Sequence, residues 1–368
     1  MSILNNKDQR LVKPAILLCL LIMVGNQAVG SNQPLFSQNI AEAKTAAPKF
    51  GSFLTPQYAA QLMHGKIAFI EQRGQPNYQI ADYDFDAQSH DKLFPVPANG
   101  RLHQISNSPD GQQIAVAYSI ADTNQLTGKP TGLGRSKIYL IDLKDKNPTP
   151  QFIFADDDKN AFCYNPIWSA DSRYLYFVSY KKNATYDDEM KIKRYDFQRA
   201  TSDVLIDNAG WPSLSTDGKR LTYLSVNHHS KKRALWTANS DGSNPQQLVA
   251  EDVLYDLNLP LFSIDGQWIY FAVPQKPVLT WYQRLSPLSL AYAHGNHDVP
   301  SRWGRISTQG GNPEILNTAP SQIYFGQFSP DGRYLGYTSD KGFHIWDATT
   351  QHESLLLKSR AMRGFTWL

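Results

Sequence analysis

The chain has 368 residues, a formal net charge of +3 and 19% charged residues, a balance too even for a nucleic-acid-binding surface, and no Lys/Arg stripe interleaved with stacking aromatics occurs in it. Aromatics make up 12% of residues, which suits strands better than a helical bundle. The length could hold two domains, but a ring of repeats absorbs it as one.

In chain order, the first element reads as a targeting segment. Lys7, Arg10 and Lys13 form a positive leader, and Ala15 to Val24 is an apolar run about half the ~20 residues that span a bilayer. Ala28-Val29-Gly30 places small residues for cleavage before Ser31. Leu18 ahead of Cys19 argues against lipidation. An uncleaved anchor is the alternative; in either case the body is exported, periplasmic or secreted. The organisation expected is a signal over 1–30, a polar tether over 31–61 with one short helix from Thr55 to Met63, and a repeat domain over 62–368.

Lys66–Ile70 and Tyr78–Tyr83 read as the second and third strands of a first repeat whose opening strand is missing. Then one short phrase, Ser-x-Asp-Gly followed by a β-rich run, recurs five times. It stands at Ser108–Gly111, Ser169–Ser172, Ser215–Gly218, Ser263–Gly266 and Ser329–Gly332, with Ser172 in place of the glycine in the second copy. Asp bonds backbone amides ahead of it, and Gly accepts positive φ, so the phrase is a tight turn between two strands. In the last copy Ile323–Phe328, Tyr334–Thr338, Phe343–Asp347 and Ser354–Leu357 read as four strands, the pattern of a propeller blade. Ala361–Leu368 stops where another turn would begin, with Trp367 in register with Trp168 and Phe328. That segment is expected to complete the first blade and close a six-bladed, all-β propeller, which leaves no open edge. Trp168, Phe262, Phe328 and Trp367 are expected between blades.

The repeat, seen most clearly in Asp217–Tyr223 and Leu235–Asn244, resembles the TolB-like six-bladed propeller built of WD40-like PD40 repeats. The resemblance covers about residues 62–368. It lacks the N-terminal α/β domain of true TolB, since only a short tether separates the signal from the first strand. It implies a non-enzymatic envelope module that binds another protein or peptide. The propeller is also similar to the non-catalytic domain of prolyl oligopeptidase-type peptidases, with no hydrolase domain following.

The five turn aspartates read as structural, because all occupy one hairpin position. After signal removal Cys163 is the one cysteine left, so no internal disulfide is available, and between Phe162 and Tyr164 it reads as a buried, inert thiol. Lys231-Lys232-Arg233 reads as a solvated hairpin tip. Two insertions lengthen the repeats. That near 120–136 is Gly-rich and is expected to be a loose loop. The one over 275–302 is unusually apolar, and Trp281, Tyr282 and Tyr292 are candidates for a partner-docking surface. The favoured reading is that it packs on its own blade as an extra hairpin, with a partner-docking or ligand-lid surface as the alternative.

Catalytic motifs are absent: no Gly-x-Ser-x-Gly, His-Glu-x-x-His, phosphate loop or Cys-x-x-Cys. His294, His297 and Asp298 have the side-chain types for a divalent ion, but a polar loop tip is the favoured reading. His228-His229, Asp156–Asp158 and Asp187–Glu189 lack dedicated ligand spacing. No cofactor is expected. Channel-rim candidates from the first strands are His103, Gln104, Tyr164, Asn165, Trp211, Asn258, Tyr324 and Arg363. This mixed set contains no evident acid–base pair and suits recognition better than catalysis. The reading is an exported, monomeric interaction propeller without nucleic-acid partners or membrane spans beyond the signal or anchor. The alternatives are a propeller enzyme acting on an envelope glycan or peptide, and a small-ligand-binding propeller.

Overall fold

The computed structural model describes residues 64–72, 78–95, 100–123, 130–133, 135–145, 151–152, 161–181, 189–227, 230, 232–275, 299–318, 320–359 and 362–368. The signal, the tether with its expected helix, the 276–298 part of the apolar insertion, the His228-His229 pair and both acidic runs except Glu189 lie outside them.

Six antiparallel sheets follow one another along the chain, each built around a four-strand meander. Their first strands are Gly100–Asn107, Phe162–Trp168, Ala209–Leu214, Asn258–Phe262, Ile323–Phe328 and, for blade one, Met362–Trp367 from the far end of the chain. That last strand pairs with Lys66–Gln72, Ile67 facing Trp367 and Phe69 facing Phe365. The ring is thus closed by joining the two ends of the repeat domain, and the fold is a six-bladed β-propeller. No helix among the described residues is long and apolar enough to cross a membrane.

The recurring turn works as one hydrogen-bonded unit in every copy. The Ser hydroxyl donates to the Asp carboxylate at 2.5–2.6 Å. The amide two residues beyond the Asp donates to the same carboxylate at 3.0–3.1 Å. The Ser oxygen in turn accepts the amide that opens the next strand, at 2.8–3.0 Å. At Asp110, Asp171 and Asp217 the Ser hydrogen bond is the main force holding the carboxyl below its usual range. The fourth position needs positive φ, met by glycine at 65–73° in four turns and by Ser172 at 56° in the fifth.

Apolar clusters sit between neighbouring blades. Trp168 packs with Ala115, Ala117, Ile138 and Leu140 of blade two, as well as with Leu175 and Phe177 of its own. Phe262 joins Leu224 and Leu235 of blade four, Phe328 joins Tyr270 and Trp303 of blade five, and Trp367 joins Phe343 and Ile345 of blade six. Burying side chains of this size contributes about 1.5–3 kcal/mol each, and the cohesion of the ring comes mostly from these seams. Cys163 is buried in the same seam as Trp168.

Two readings change. Part of the 120–136 insertion is strand: Pro130–Leu133 pairs with the end of the long second strand, Gln113–Thr123, and makes a fifth strand on blade two. Arg233 is no solvated tip. It opens the third strand of blade four, Arg233–Asn239, with its side chain only 14% exposed.

Candidate functional site

All six first strands break register at a corresponding point, near the end where they enter the ring. A bulge adds a residue, flips the alternation of side chains and re-aims them. In three blades the bulged residue has positive φ and is followed by proline: Asn165 at 51°, Trp211 at 54° and Leu259 at 52°. Residues before proline are normally extended, so each holds local strain of order 1 kcal/mol or more, a feature that clusters at functional positions.

The bulge divides the channel into two halves. Toward the turns lies a cavity of about 280 Å³. Its wall takes the residue two places before the turn Ser (Ser106, Ile167, Ser213, Leu261, Gln327) and the residue four places before it (Gln104, Asn165, Trp211, Leu259, Phe325). Thr366 completes the first ring from the closing strand, and the turn residues Pro109, Thr216 and Ile264 form the mouth. Among the described residues, no Asp, Glu, Lys, Arg or His lines it. Gln104 accepts the backbone N–H of Asn165 through its carboxamide oxygen, which ties blades two and three together.

Charge collects at the other end. Arg363 lies over the Tyr324 ring at 4.7 Å, joining blades one and six. Arg233 lies over the Trp211 ring at 4.3 Å. It also pairs with Asp256 at 3.4 Å and donates to the Leu257 carbonyl at 3.0 Å and to the Asn258 side chain. Burial is the main influence on the Arg233 pKa and lowers it, with Asp256 and Tyr164 pulling it back up. Burial likewise raises the Tyr164 phenol, which Arg233 partly offsets. The His103 ring bonds the Ser119 hydroxyl at 2.8 Å, and burial, aided by Arg101, depresses its pKa to about 4.

The sequence candidates therefore fall in two places. Asn165, Trp211 and Gln104 line the cavity; His103, Tyr164, Asn258, Tyr324 and Arg363 stand one residue earlier, toward the strand starts. Missed were the cavity residues two before the turn Ser, among them Gln327 and Thr366, and the pair Arg233–Asp256. Counting back from each Ser-x-Asp would have found the first group. Trp281, Tyr282, Tyr292, His294, His297 and Asp298 lie outside the described residues.

One constellation has the order of an acyl-transfer triad. Ser339 Oγ is 2.8 Å from His344 Nε2, and His344 Nδ1 is 3.2 Å from Glu353. The Tyr337 ring stacks on the imidazole at 4.6 Å. Ser339 is 0% exposed and His344 3%, and neither lines the channel cavity. A nucleophile needs room for a carbonyl beside it; sealed inside blade six, this network satisfies buried polar groups instead.

No protein-family model matches the chain, and no curated protein matches it in sequence. Solved structures do match in fold. One is a TolB structure from Agrobacterium tumefaciens, with a TM-score of 0.54 and 16% identity over 82% of this chain and 91% of that one. Another is TolB from Acinetobacter baumannii, with a TM-score of 0.54 and 15% identity over 82% of this chain and 66% of that one. A chain from a nidogen/laminin complex matches with a TM-score of 0.57 and 13% identity, over 82% and 98%. The chain therefore has the six-bladed β-propeller fold seen in these TolB structures.

Proposed function

We propose that the protein is an exported, non-enzymatic propeller that binds another protein of the cell envelope at the strand-start mouth of its channel. The observation that carries this reading is Arg363 stacked on Tyr324, which joins blades one and six at the strand-start end of the ring. Arg, Tyr and Trp dominate interface hot spots, because they combine large area with directional polar contact. The leader-like N-terminus and the TolB-like fold support an envelope location. The uncharged cavity, which offers no acid or base, supports recognition over catalysis. The apolar 278–292 stretch is a second candidate contact.

The test is chemical crosslinking in intact cells, comparing wild type with Arg363→Ala/Tyr324→Ala and with a variant lacking 278–292. One defined envelope protein, lost from the double variant while thermal unfolding stays near wild type, is the expected result. No specific adduct from well-expressed, folded protein would overturn the reading.

A further inference from the structure

The turn-side half of the channel is a separate site from the docking mouth. We propose that it binds a neutral saccharide, of the size of one or two pyranose rings. Its volume, about 280 Å³, lies just below the roughly 300–1,000 Å³ typical of ligand pockets. No ionisable side chain among the described residues lines it. A charged ligand would therefore be desolvated without a counter-charge.

The wall pairs two kinds of group that suit a pyranose. The amides and hydroxyls of Gln104, Ser106, Asn165 and Ser213 share the wall with the aromatic rings of Trp211 and Phe325. Arg233 covers one face of the Trp211 indole, and Trp211 still lines the cavity. The second observation is independent. Gln327 Oε1 and Asn107 Oδ1 are both buried without a hydrogen-bond partner, and both residues line this cavity. Native proteins rarely leave buried acceptors unpaired. Turned toward the cavity, either carboxamide oxygen would be satisfied by a ligand that presents O–H or N–H donors.

An extended peptide fits less well. A peptide entering a channel of strand edges would pair with their backbone. Here the first strands of blades three, four and five are interrupted by left-handed residues and by Pro166, Pro212 and Pro260, which carry no N–H.

The experiment uses the protein without its leader, followed by tryptophan fluorescence and calorimetry. Glucose, N-acetylglucosamine and cellobiose are titrated against glucuronate, glucosamine and a capped neutral tripeptide. The expected result is millimolar or tighter binding of at least one neutral sugar, with at least tenfold preference over its charged counterpart. Gln327→Leu should weaken that binding at least tenfold while keeping or raising the melting temperature, because it removes an unpaired buried acceptor. Ser213→Leu should block the cavity, and Arg363→Ala should leave sugar binding unchanged. Absence of neutral-sugar binding to folded protein, equal binding of charged sugars, indifference to both Gln327→Leu and Ser213→Leu, or selective binding of the tripeptide would each overturn the proposal. Loss of partner crosslinking in Arg363→Ala/Tyr324→Ala is read separately, so the two proposals fail independently.

Discussion

The two halves of the channel are made from the same six strands, yet they differ in chemistry. Beyond the bulge, the wall is amide, hydroxyl, aliphatic and aromatic, with no ionisable side chain among the described residues. Before it stand Arg363, Arg233 with Asp256, and a half-buried His103 whose pKa is held down to about 4. Each half follows from what its neighbours supply. The turn half is framed by seams of buried aromatics and by Ser-x-Asp turns that use their polar groups internally. The strand-start half receives side chains from outside the first strands, such as Arg233, which can bring a partner charge from the next blade.

The largest effect should come from removing what both halves share. The closing strand gives Arg363 to one half and Thr366 to the other. Deleting 362–368 should abolish the single cooperative thermal transition; a transition near the wild-type temperature would show that the ring does not depend on it. Next comes the charged half alone. Arg233→Met leaves Asp256, 8% exposed, without its ion-pair partner, and should lower stability by about 3–5 kcal/mol in urea unfolding. A double Arg233→Met/Asp256→Leu variant should recover much of that loss, whereas a single-variant loss below about 1 kcal/mol would make the pair peripheral.

His103 separates the halves by pH. Its folded pKa, about 4, lies below the ordinary 6.5. The unfolded chain therefore binds the proton first, and the stability that neutral His103 supplies is whole above pH 6.5 and is lost down to about 4. The expected loss across that window is about 2–3 kcal/mol, allowing for partial solvent access. His103→Gln should flatten this part of the profile; an unchanged slope would show that another group titrates there. The smallest effect belongs to the turn half. Ser172 holds a φ of 56° that glycine adopts freely, so Ser172→Gly should raise stability by about 0.5–1 kcal/mol. A loss on substitution would mean that the Ser172 side chain contributes more than its backbone strain costs.

The ring was legible in the sequence because its signal is local. Five Ser-x-Asp turns, each within four residues, give blade order, strand order and the vacancy filled by Met362–Trp367. The inward-facing residues were only partly legible. Simple alternation from the turn fails at the bulge, so Asn258 was chosen where Leu259 lines the cavity. The strand pattern points to Trp211 and Asn165 but does not single out Gln327 or Thr366. Arg233 was misjudged for a different reason. Its indole partner is in its own blade, but its carboxylate is Asp256, and nothing in Lys231-Lys232-Arg233 announces that contact. The fifth strand of blade two was hidden because Gly-rich composition gives no strand alternation.

The most direct test of the account places a photo-crosslinking residue in turn at Tyr324 and at Thr216, one at each mouth, in the exported protein in intact cells. The account predicts one envelope partner captured from position 324 and none from 216. Capture from 216 instead, or from neither position in folded protein, would contradict the assignment of partner binding to the charged end of the channel.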